Sequence, residues 1–525
     1  MQDGNLAQFF TPAAVAEFTW ELSLATSGCD RFTRVIDPAA GQGVFLDVGL
    51  SRAWVEPGGA YGIELDPRLS PPLGMAKDCA RFHIGDGLAE SFPGVRAGSF
   101  DLVIGNPPFG TTARVLPQRL VERLERLGEA RFRIGHQDRT RAKPASKRQI
   151  EHLFVERALE LARVDGVVAL ILPEGFVANM RYQAVRDWVF ERSDLLAVVG
   201  LPESTFRATG LNALTSVVVL RKRPDGGAAG HAVPPPVLMA GRQGGRLKAG
   251  KRSRQDTDAE IRRLTEATRS RLAKSPNGRT TAGRSTCFLV PTRDVAGKRW
   301  DVSYWRGVLS NAFSSLSRFS EAALGDFIQH LTYGPIVTGV RPQHVNDGIP
   351  VIRQVDFGET GLCLSEVLRV TPGGAHDPVR SRVRTGDLLL PRSGVGSLGR
   401  NRMAVYMMAP QANVGCFVDL IRLSGLNPYY VWLLLRSEPG WGQIRSLING
   451  VGTPNINFSE IRSLRIPLIP LREQNLIEAR YREAVWPHHK MTRGAASSAP
   501  AHINFQRIRT DLESYLAGSL KSLKV

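Results

Sequence analysis

Apolar strand-forming runs alternate with helical stretches through the first 225 residues, and this alternation constrains the fold more than any other feature. Such alternation predicts an α/β fold with βαβ units, in which helices cover both faces of a mostly parallel, Rossmann-like sheet. Residues 151–163 show the clearest helical spacing of apolar side chains. Strands are predicted at 34–37, 60–64, 82–85, 100–105, 166–173, 195–201 and 214–221.

The composition changes after residue 225. Residues 226–285 are rich in glycine, proline and basic residues, with one helical stretch near 257–274, which predicts a basic linker after a first domain of residues 1–225. Short apolar runs between glycine turns follow over 286–470 and predict a second, mainly β domain. Helical spacing returns in 471–525, where 505–523 is amphipathic, so we expect a helical C-terminal segment.

Charge and cysteine content limit the classes of protein that fit. Lys and Arg number 68 against 49 Asp and Glu, so the net charge is +19, which favours a polyanion such as nucleic acid as partner. The five cysteines are scattered without a C-x-x-C pair, which argues against disulfides and a zinc site, and we predict no metal. With neither a membrane-spanning run nor a signal peptide, the chain is expected to be cytoplasmic, without a membrane partner.

A rigid polar turn follows the fourth predicted strand. The apolar run 102–105 leads directly into Asn106, Pro107, Pro108 and Phe109, and the two prolines fix φ and remove two backbone donors. The turn therefore presents an amide, bare carbonyl acceptors and an aromatic ring. This set suits a planar base with an exocyclic amino group, whose hydrogens go to Asn106 and the Pro107 carbonyl while its ring stacks on Phe109.

Three further strands end in carboxylates, at the sheet edge where ligands bind. Asp37 precedes a glycine turn with Gly41 and Gly43, and an acidic residue there suits a cationic ligand better than a pyrophosphate. The ammonium group of S-adenosyl-L-methionine (S-adenosylmethionine) fits this position. Glu64 is placed to hold ribose hydroxyls and Asp86 to accept from the adenine amino group.

The ordered set resembles the gamma class of N6-adenine DNA methyltransferases. In that class a cofactor-contacting segment precedes the glycine motif, as Gln8–Pro12 does here, and a later segment like Leu201–Phe206 supplies a second aromatic ring, Phe206, against the target base. Many members have Tyr at the position of Phe109. The resemblance implies S-adenosylmethionine as cofactor, bound by Phe10, Thr11, Pro12, Asp37, Ala39, Gly41, Gly43, Glu64, Leu65, Asp86, Gly87 and Asn106.

The second domain resembles the specificity subunits of Type I restriction-modification systems. The similarity lies in the segments 450–458, 466–474, 386–394 and 300–304. It implies that 286–470 is a target-recognition domain, present in one copy where those subunits usually carry two.

A basic segment after the Asn-Pro-Pro-Phe turn is expected to rim the same cleft, although a solvated insertion is the alternative. Its expected phosphate contacts are Arg131, Arg133, Arg139, Arg141, Lys147 and Arg148.

Together these features predict a site-specific adenine N6-methyltransferase that acts on a flipped-out adenine of double-stranded DNA, in a restriction-modification or phage-defence context. Other restriction or phage-defence subunits are further candidate partners. Two alternatives stay open. One is methylation of RNA or of a protein glutamine amide, because such enzymes use a similar turn, and the other is a non-catalytic DNA-specificity subunit.

Overall fold

The protein forms two compact units, Met1–Leu309 and Ser310–Val525. Each unit is described separately, from a computed structural model. The residues that this structure describes are 10–69, 80–88, 92–127, 134, 147–202, 204–206, 214–224, 234–241, 254–272, 287–309, 319–339, 342–394, 396–408, 411–448, 454–488 and 499–523.

The first unit is built on a nine-stranded mixed sheet with the strand order β3-β2-β1-β4-β5-β7-β6-β8-β9. The strands from β3 to β5 run parallel, β7 is antiparallel to both of its neighbours, β8 is parallel to β6, and β9 is antiparallel to β8. This confirms the predicted α/β fold. The strands are β1 (Val35–Asp37), β2 (Ala60–Glu64), β3 (Ala80–Ile84), β4 (Phe100–Gly105), β5 (Ala162–Pro173), β6 (Ser193–Gly200), β7 (Thr215–Lys222), β8 (Val237–Ala240) and β9 (Cys287–Val290).

Helices cover both faces of this sheet. Successive strand residues alternate between two apolar layers, so Val35 packs in the layer that contains Phe18 while Ile36 packs in the layer that contains Val155. Burial on both faces explains why the strands are almost uninterrupted apolar runs. The helices are α1 (Ala13–Ser27), α2 (Val44–Ser51), α3 (Thr112–Val115), α4 (Gln118–Leu127), α5 (Ile150–Leu161), α6 (Glu174–Ala178), α7 (Gln183–Arg192), α8 (Arg254–Leu272), α9 (Thr292–Val295) and α10 (Val302–Leu309).

The first unit extends beyond the predicted boundary at residue 225. Within the predicted linker, Val237–Ala240 forms β8 beside β6, and Arg254–Leu272 forms α8, which packs against α1. Cys287–Val290 pairs with β8, although the prediction assigned it to the second domain. These apolar runs are only four residues long, and the glycine, proline and charged residues around them hide their signal. Their burial completes the edge of the sheet.

The second unit combines three small sheets with a helical layer. The sheets have the strand orders β10-β19, β11-β18-β15-β16 and β13-β12-β17-β14. The strands are β10 (Glu321–Ala323), β11 (Ile328–Tyr333), β12 (Ile349–Ile352), β13 (Leu368–Val370), β14 (Arg382–Val383), β15 (Leu388–Pro391), β16 (Ala404–Val405), β17 (Ala412–Val414), β18 (Val418–Leu423) and β19 (Arg465–Pro467). The helices are α11 (Pro428–Arg436), α12 (Glu438–Leu447), α13 (Phe458–Ser463), α14 (Leu471–Arg480) and α15 (Ala499–Leu516).

The C-terminal helix α15 belongs to the core of this second unit. The ring of Trp432 on α11 lies 5.3 Å from that of Phe505 on α15 and 4.8 Å from that of Tyr481, measured between centroids. The Trp432 Nε1 also donates a hydrogen bond of 2.8 Å to the Met403 carbonyl oxygen. The tail is therefore fixed by buried aromatic contacts. No helix in the described parts of the chain is long and apolar enough to cross a membrane.

Candidate active site

A pocket opens in the first unit at the carboxyl ends of β1, β2, β3 and β4. β1 pairs with β2 on one side and with β4 on the other, so the strand order reverses at β1. Open α/β sheets bind ligands at the carboxyl ends of the strands where this reversal occurs. Its lining comprises Phe10, Thr11, Asp37, Pro38, Ala39, Ala40, Gly41, Gln42, Val44, Phe45, Glu64, Leu65, Leu69, Asp86, Gly87, Leu88, Asn106, Pro107, Pro108, Val115, Leu116 and Phe154.

Most residues of the predicted cofactor set line this pocket. Two of them lie beside it at the starts of helices, since Pro12 is the N-cap of α1 and Gly43 the N-cap of α2. Gly43 has a φ of +81°, a left-handed conformation that glycine adopts without strain. The predicted residues that line the pocket are Phe10, Thr11, Asp37, Ala39, Gly41, Glu64, Leu65, Asp86, Gly87 and Asn106, together with Pro107 and Pro108 of the turn.

Asp37 is the most deeply buried carboxyl group of the pocket, with 1% of its surface exposed. Its Oδ1 accepts a hydrogen bond of 3.0 Å from the Ala39 backbone N–H. The pKa of Asp37 is raised to about 8, chiefly because the group is buried; the bond from Ala39 lowers it and the charge of Glu64 adds to the rise. A buried carboxyl in this state gains a counter-charge when a cation binds beside it.

Glu64 ties the end of β2 to the glycine turn. Its Oε2 accepts from the Gly41 N–H at 2.7 Å and its Oε1 from the Asp66 N–H at 2.9 Å. Burial raises the pKa of Glu64 above its usual range, and these backbone bonds counter the shift. Each carboxylate oxygen has a second lone pair, so Glu64 can still accept hydrogen bonds from a ligand.

Two loops of the pocket touch at Gly87. A Cβ at this position would overlap the carbonyl oxygen of Pro38, so only glycine allows the loop after β3 to approach the loop after β1. In the same loop, Oδ1 of Asp86 accepts a 3.0 Å hydrogen bond from the Leu88 N–H. This bond holds the Asp86 carboxylate at the pocket wall.

Asn106 is oriented by Thr11. The Asn106 Nδ2 donates a hydrogen bond of 3.1 Å to Thr11 Oγ1, which directs the opposite edge of the amide, the Oδ1, to act as the acceptor. Thr11 lies just before α1, so this contact joins the segment before that helix to the turn after β4.

Replacing Thr11 by valine should lower the rate of the chemical step about 2- to 10-fold, because a hydrogen bond of this kind contributes roughly 0.5–1.5 kcal/mol. Single-turnover kinetics on a saturating substrate would measure the loss. Thr11→Ser keeps the hydroxyl and should restore the rate. An equal loss in both variants would contradict an orienting role of the hydroxyl.

Gly105 ends β4 against the Asp37 carboxylate. A Cβ on Gly105 would lie 2.5 Å from Asp37 Oδ1 and 3.1 Å from its Cγ. Gly105→Ala should therefore displace the carboxylate, lower the free energy of unfolding by about 1–3 kcal/mol and weaken cofactor binding. Chemical denaturation and calorimetric titration would measure the two effects.

Gly200 provides the matched control, since it ends β6 of the same sheet and a Cβ there would meet no atom within 4 Å. Gly200→Ala should leave cofactor binding unchanged and the stability equal or slightly higher. If the two variants had the same stability and the same cofactor affinity, the short distance to Asp37 would not be the reason for glycine at position 105.

The two predicted stacking rings do not line the pocket. Phe109 is half-buried and packs against an apolar cluster that includes Phe206, and Phe206 is only 1% exposed. Of the predicted phosphate contacts, Lys147 is exposed and Arg148 half-buried. Arg131, Arg133, Arg139 and Arg141 lie outside the described residues.

Glu151, which sequence reasoning placed only on a helix, holds the end of the Asn-Pro-Pro-Phe turn. Its Oε2 accepts a 3.0 Å hydrogen bond from the Gly110 N–H, and the Ile150 N–H donates to the Gly110 carbonyl at 2.9 Å. Burial raises the pKa of Glu151 to about 7, against the bond from Gly110. An acidic residue at the start of a helix usually indicates only capping, so the sequence carried no signal for this clamp.

Comparison with known proteins gives matches to the first unit and across both units. The model of the Eco57I restriction-modification methylase family matches residues 80–206, a span from β3 to Phe206 that contains the Asn-Pro-Pro-Phe turn. The defense against restriction protein B of Escherichia phage P1 is 27% identical over 227 residues, which are 42% of this chain but only 8% of that protein.

Two solved structures resemble the chain at low sequence identity. The type IIG restriction endonuclease BpuSI is 12% identical, with a TM-score of 0.46 over 97% of this chain and 66% of its own. The methyltransferase subunit of a type I restriction-modification system from Streptococcus thermophilus is 19% identical, with a TM-score of 0.37 over 55% of this chain and 56% of its own.

Proposed function

We propose that the chain transfers a methyl group from S-adenosylmethionine to the exocyclic N6 of an adenine in double-stranded DNA. One observation carries the proposal: Asn106 and Pro107 face the same pocket as the carboxylates of Asp37, Glu64 and Asp86. The hydrogen-bond acceptors for an amino group and the carboxylates that suit a cationic nucleoside therefore line one cavity. The match of residues 80–206 to restriction-modification methylases supports DNA as the substrate.

The pocket residues fit S-adenosylmethionine by their chemistry. Buried Asp37, with its raised pKa, suits the ammonium group, Glu64 suits the ribose hydroxyls, and Asp86 suits the adenine amino group. Apolar side chains such as Leu65 and Val115 supply the rest of the wall. When bound, this cofactor would supply a methyl group on a sulfonium: transfer would break the bond from sulfur to the methyl carbon, release a neutral thioether and leave the amine to lose one proton to solvent.

The turn after β4 positions the target amine. A delocalised lone pair makes an aromatic amino group a poor nucleophile. If Asn106 Oδ1 and the Pro107 carbonyl oxygen accept its two hydrogens, they draw them from the ring plane and localise the lone pair. The bonds to Thr11 and Glu151 hold this turn in place before the substrate arrives, so catalysis consists mainly of orientation and polar stabilisation.

The adenine must leave the duplex to reach this pocket, at a cost of a few kcal/mol. Phe109 lies next to the turn but outside the pocket lining, and stacking of the base on its ring would offset this cost by about 1–3 kcal/mol. Phe206 would stack on the second face only after its ring leaves the apolar cluster that buries it.

The basic segment 131–148 contacts the phosphates, and the second unit recognises the target sequence. We place this activity in restriction-modification or phage defence, in the cytoplasm, with other defence subunits as candidate partners.

A transfer assay with a labelled methyl donor tests the proposal. The full chain is incubated with duplex DNA, structured RNA and a protein mixture, and label should appear in DNA as N6-methyladenine within one sequence context. Label in RNA or in a glutamine amide would overturn the choice of substrate. Cofactor binding without transfer to any of the three would favour a non-catalytic specificity subunit.

A further inference from the structure

Asp419 on β18 is a buried carboxylate of the second unit. The residue is 0% exposed, and within the described part of the chain neither of its oxygens accepts a hydrogen bond. Burial raises its pKa to about 7, against the pull of Arg392. The Arg392 Nε lies 3.8 Å from Asp419 Oδ1. Arg392 is therefore the charged group that favours the ionised form of this buried acid.

Arg392 is held in place without using its hydrogen-bond donors. Its guanidinium carbon lies 4.2 Å from the ring centroid of Tyr333 and 5.6 Å from that of Phe458. The side chain is 21% exposed and donates no hydrogen bond to a residue that the structure describes. Two rings and a carboxylate thus fix a planar group that carries five N–H donors.

The backbone around Arg392 is equally well fixed. Its N–H donates to the Phe417 carbonyl and its carbonyl accepts from the Ile456 N–H, both at 3.0 Å. Two residues on, the Gly394 N–H donates to the Pro454 carbonyl at 3.1 Å. The segment 386–394 and the described part of the segment 450–458, residues 454–458, therefore meet at this arginine.

We propose that Arg392 recognises a guanine of the DNA target through the major groove, and that Asp419 positions its guanidinium. This inference rests on the proposed function, because it requires the second unit to bind duplex DNA. An arginine offers donors only. Guanine presents two neighbouring acceptors in the major groove, O6 and N7, whereas adenine and cytosine each present a donor.

A phosphate contact is the competing role for Arg392, and the surroundings of the side chain disfavour it. When ionised, the Asp419 carboxyl at 3.8 Å offsets part of the arginine's charge, which weakens attraction to a phosphate but leaves the donor geometry intact.

The test is selection of bound duplexes from a random DNA pool by the full chain with S-adenosylhomocysteine, followed by sequencing. Arg392→Lys keeps the charge but loses the fork, and Arg392→Gln loses both. In each variant the preference for guanine at one position of the bound sequence should fall by about 5- to 150-fold, and this position should be the same in both. The base preferences at the other positions should not change. Asp419→Asn should weaken preference at that position alone. Arg445→Ala, which removes an arginine paired with exposed Glu438, should change no position.

Several results would overturn the inference. One is that the wild type enriches no sequence, and another is that both Arg392 variants keep every preference. A third is that Arg392→Lys matches the wild type while Arg392→Gln binds all sequences more weakly to the same degree, as a phosphate contact predicts. Thermal melting checks that each variant is folded, and the lysine variant keeps the test valid if the glutamine variant is not. Guanine selection by a wild type that methylates no DNA would refute the proposed function and leave this inference standing.

Discussion

Asn106→Ala should lower the rate of methyl transfer about 100- to 1,000-fold, the usual cost of removing one preorganised polar group at a reacting centre. The side chain is held by Thr11, so its oxygen is in position before the substrate binds. Cofactor affinity should change little, because the carboxylates that suit the cofactor are on other strands. Single-turnover transfer to DNA and calorimetric titration with the cofactor would measure the two quantities.

Asn179→Ala is the matched control for this loss. Asn179 caps a short helical turn after α6 by accepting from the Arg181 N–H at 3.0 Å, and it does not line the pocket. Its removal should cost about 1 kcal/mol of stability and leave the transfer rate unchanged. If Asn106→Ala transferred methyl groups at the wild-type rate, the role assigned to the turn would be wrong.

Asp37→Asn should weaken cofactor binding about 10- to 100-fold at pH 7. Loss of one partner from a buried charge pair costs about 2–5 kcal/mol. At pH 7 the wild type gains less than this from Asp37, because a carboxyl group with a pKa of about 8 must first ionise when the cofactor binds. Asparagine keeps the shape and the bond from the Ala39 N–H, so the fold should be retained.

The same raised pKa predicts how cofactor affinity depends on pH. Below about pH 8 the free Asp37 is mostly protonated, whereas beside an ammonium group it is ionised, so binding releases a proton. Affinity should therefore rise about tenfold between pH 6 and pH 7 in the wild type and stay nearly flat in Asp37→Asn. Titration calorimetry in buffers of different ionisation enthalpy would count the proton. A wild type that releases none would exclude the contact between Asp37 and the ammonium group.

The sequence predicted the central strands well because burial on both faces leaves a strong local signal. Apolar runs such as Phe100–Gly105 lie where they were predicted. It did not predict that Val237–Ala240 and Cys287–Val290 join the same sheet, since four apolar residues among glycines and charges resemble any loop. β8 pairs with the edge of β6 and β9 with the edge of β8, and both pairings are information from the tertiary structure.

The candidate site shows the same division between local and non-local information. The residues after each strand were predicted to converge because parallel strands bring their carboxyl ends together, and Asp37, Glu64, Asp86 and Asn106 do line one pocket. The contacts that hold these residues in place could not be predicted. The clamp by Glu151 and the burial of Phe206 arise from packing between segments far apart in the chain.

Because α15 packs in the core of the second unit, a chimaera that carries this unit should include α15. A donor segment cut at residue 470 would lose Phe505 and Tyr481 and leave the indole of Trp432 uncovered, which invites aggregation. A graft taken from residue 310 to the C-terminus keeps this aromatic core whole. If the second unit recognises the target sequence, as proposed, exchange of that sequence is best attempted with this larger module.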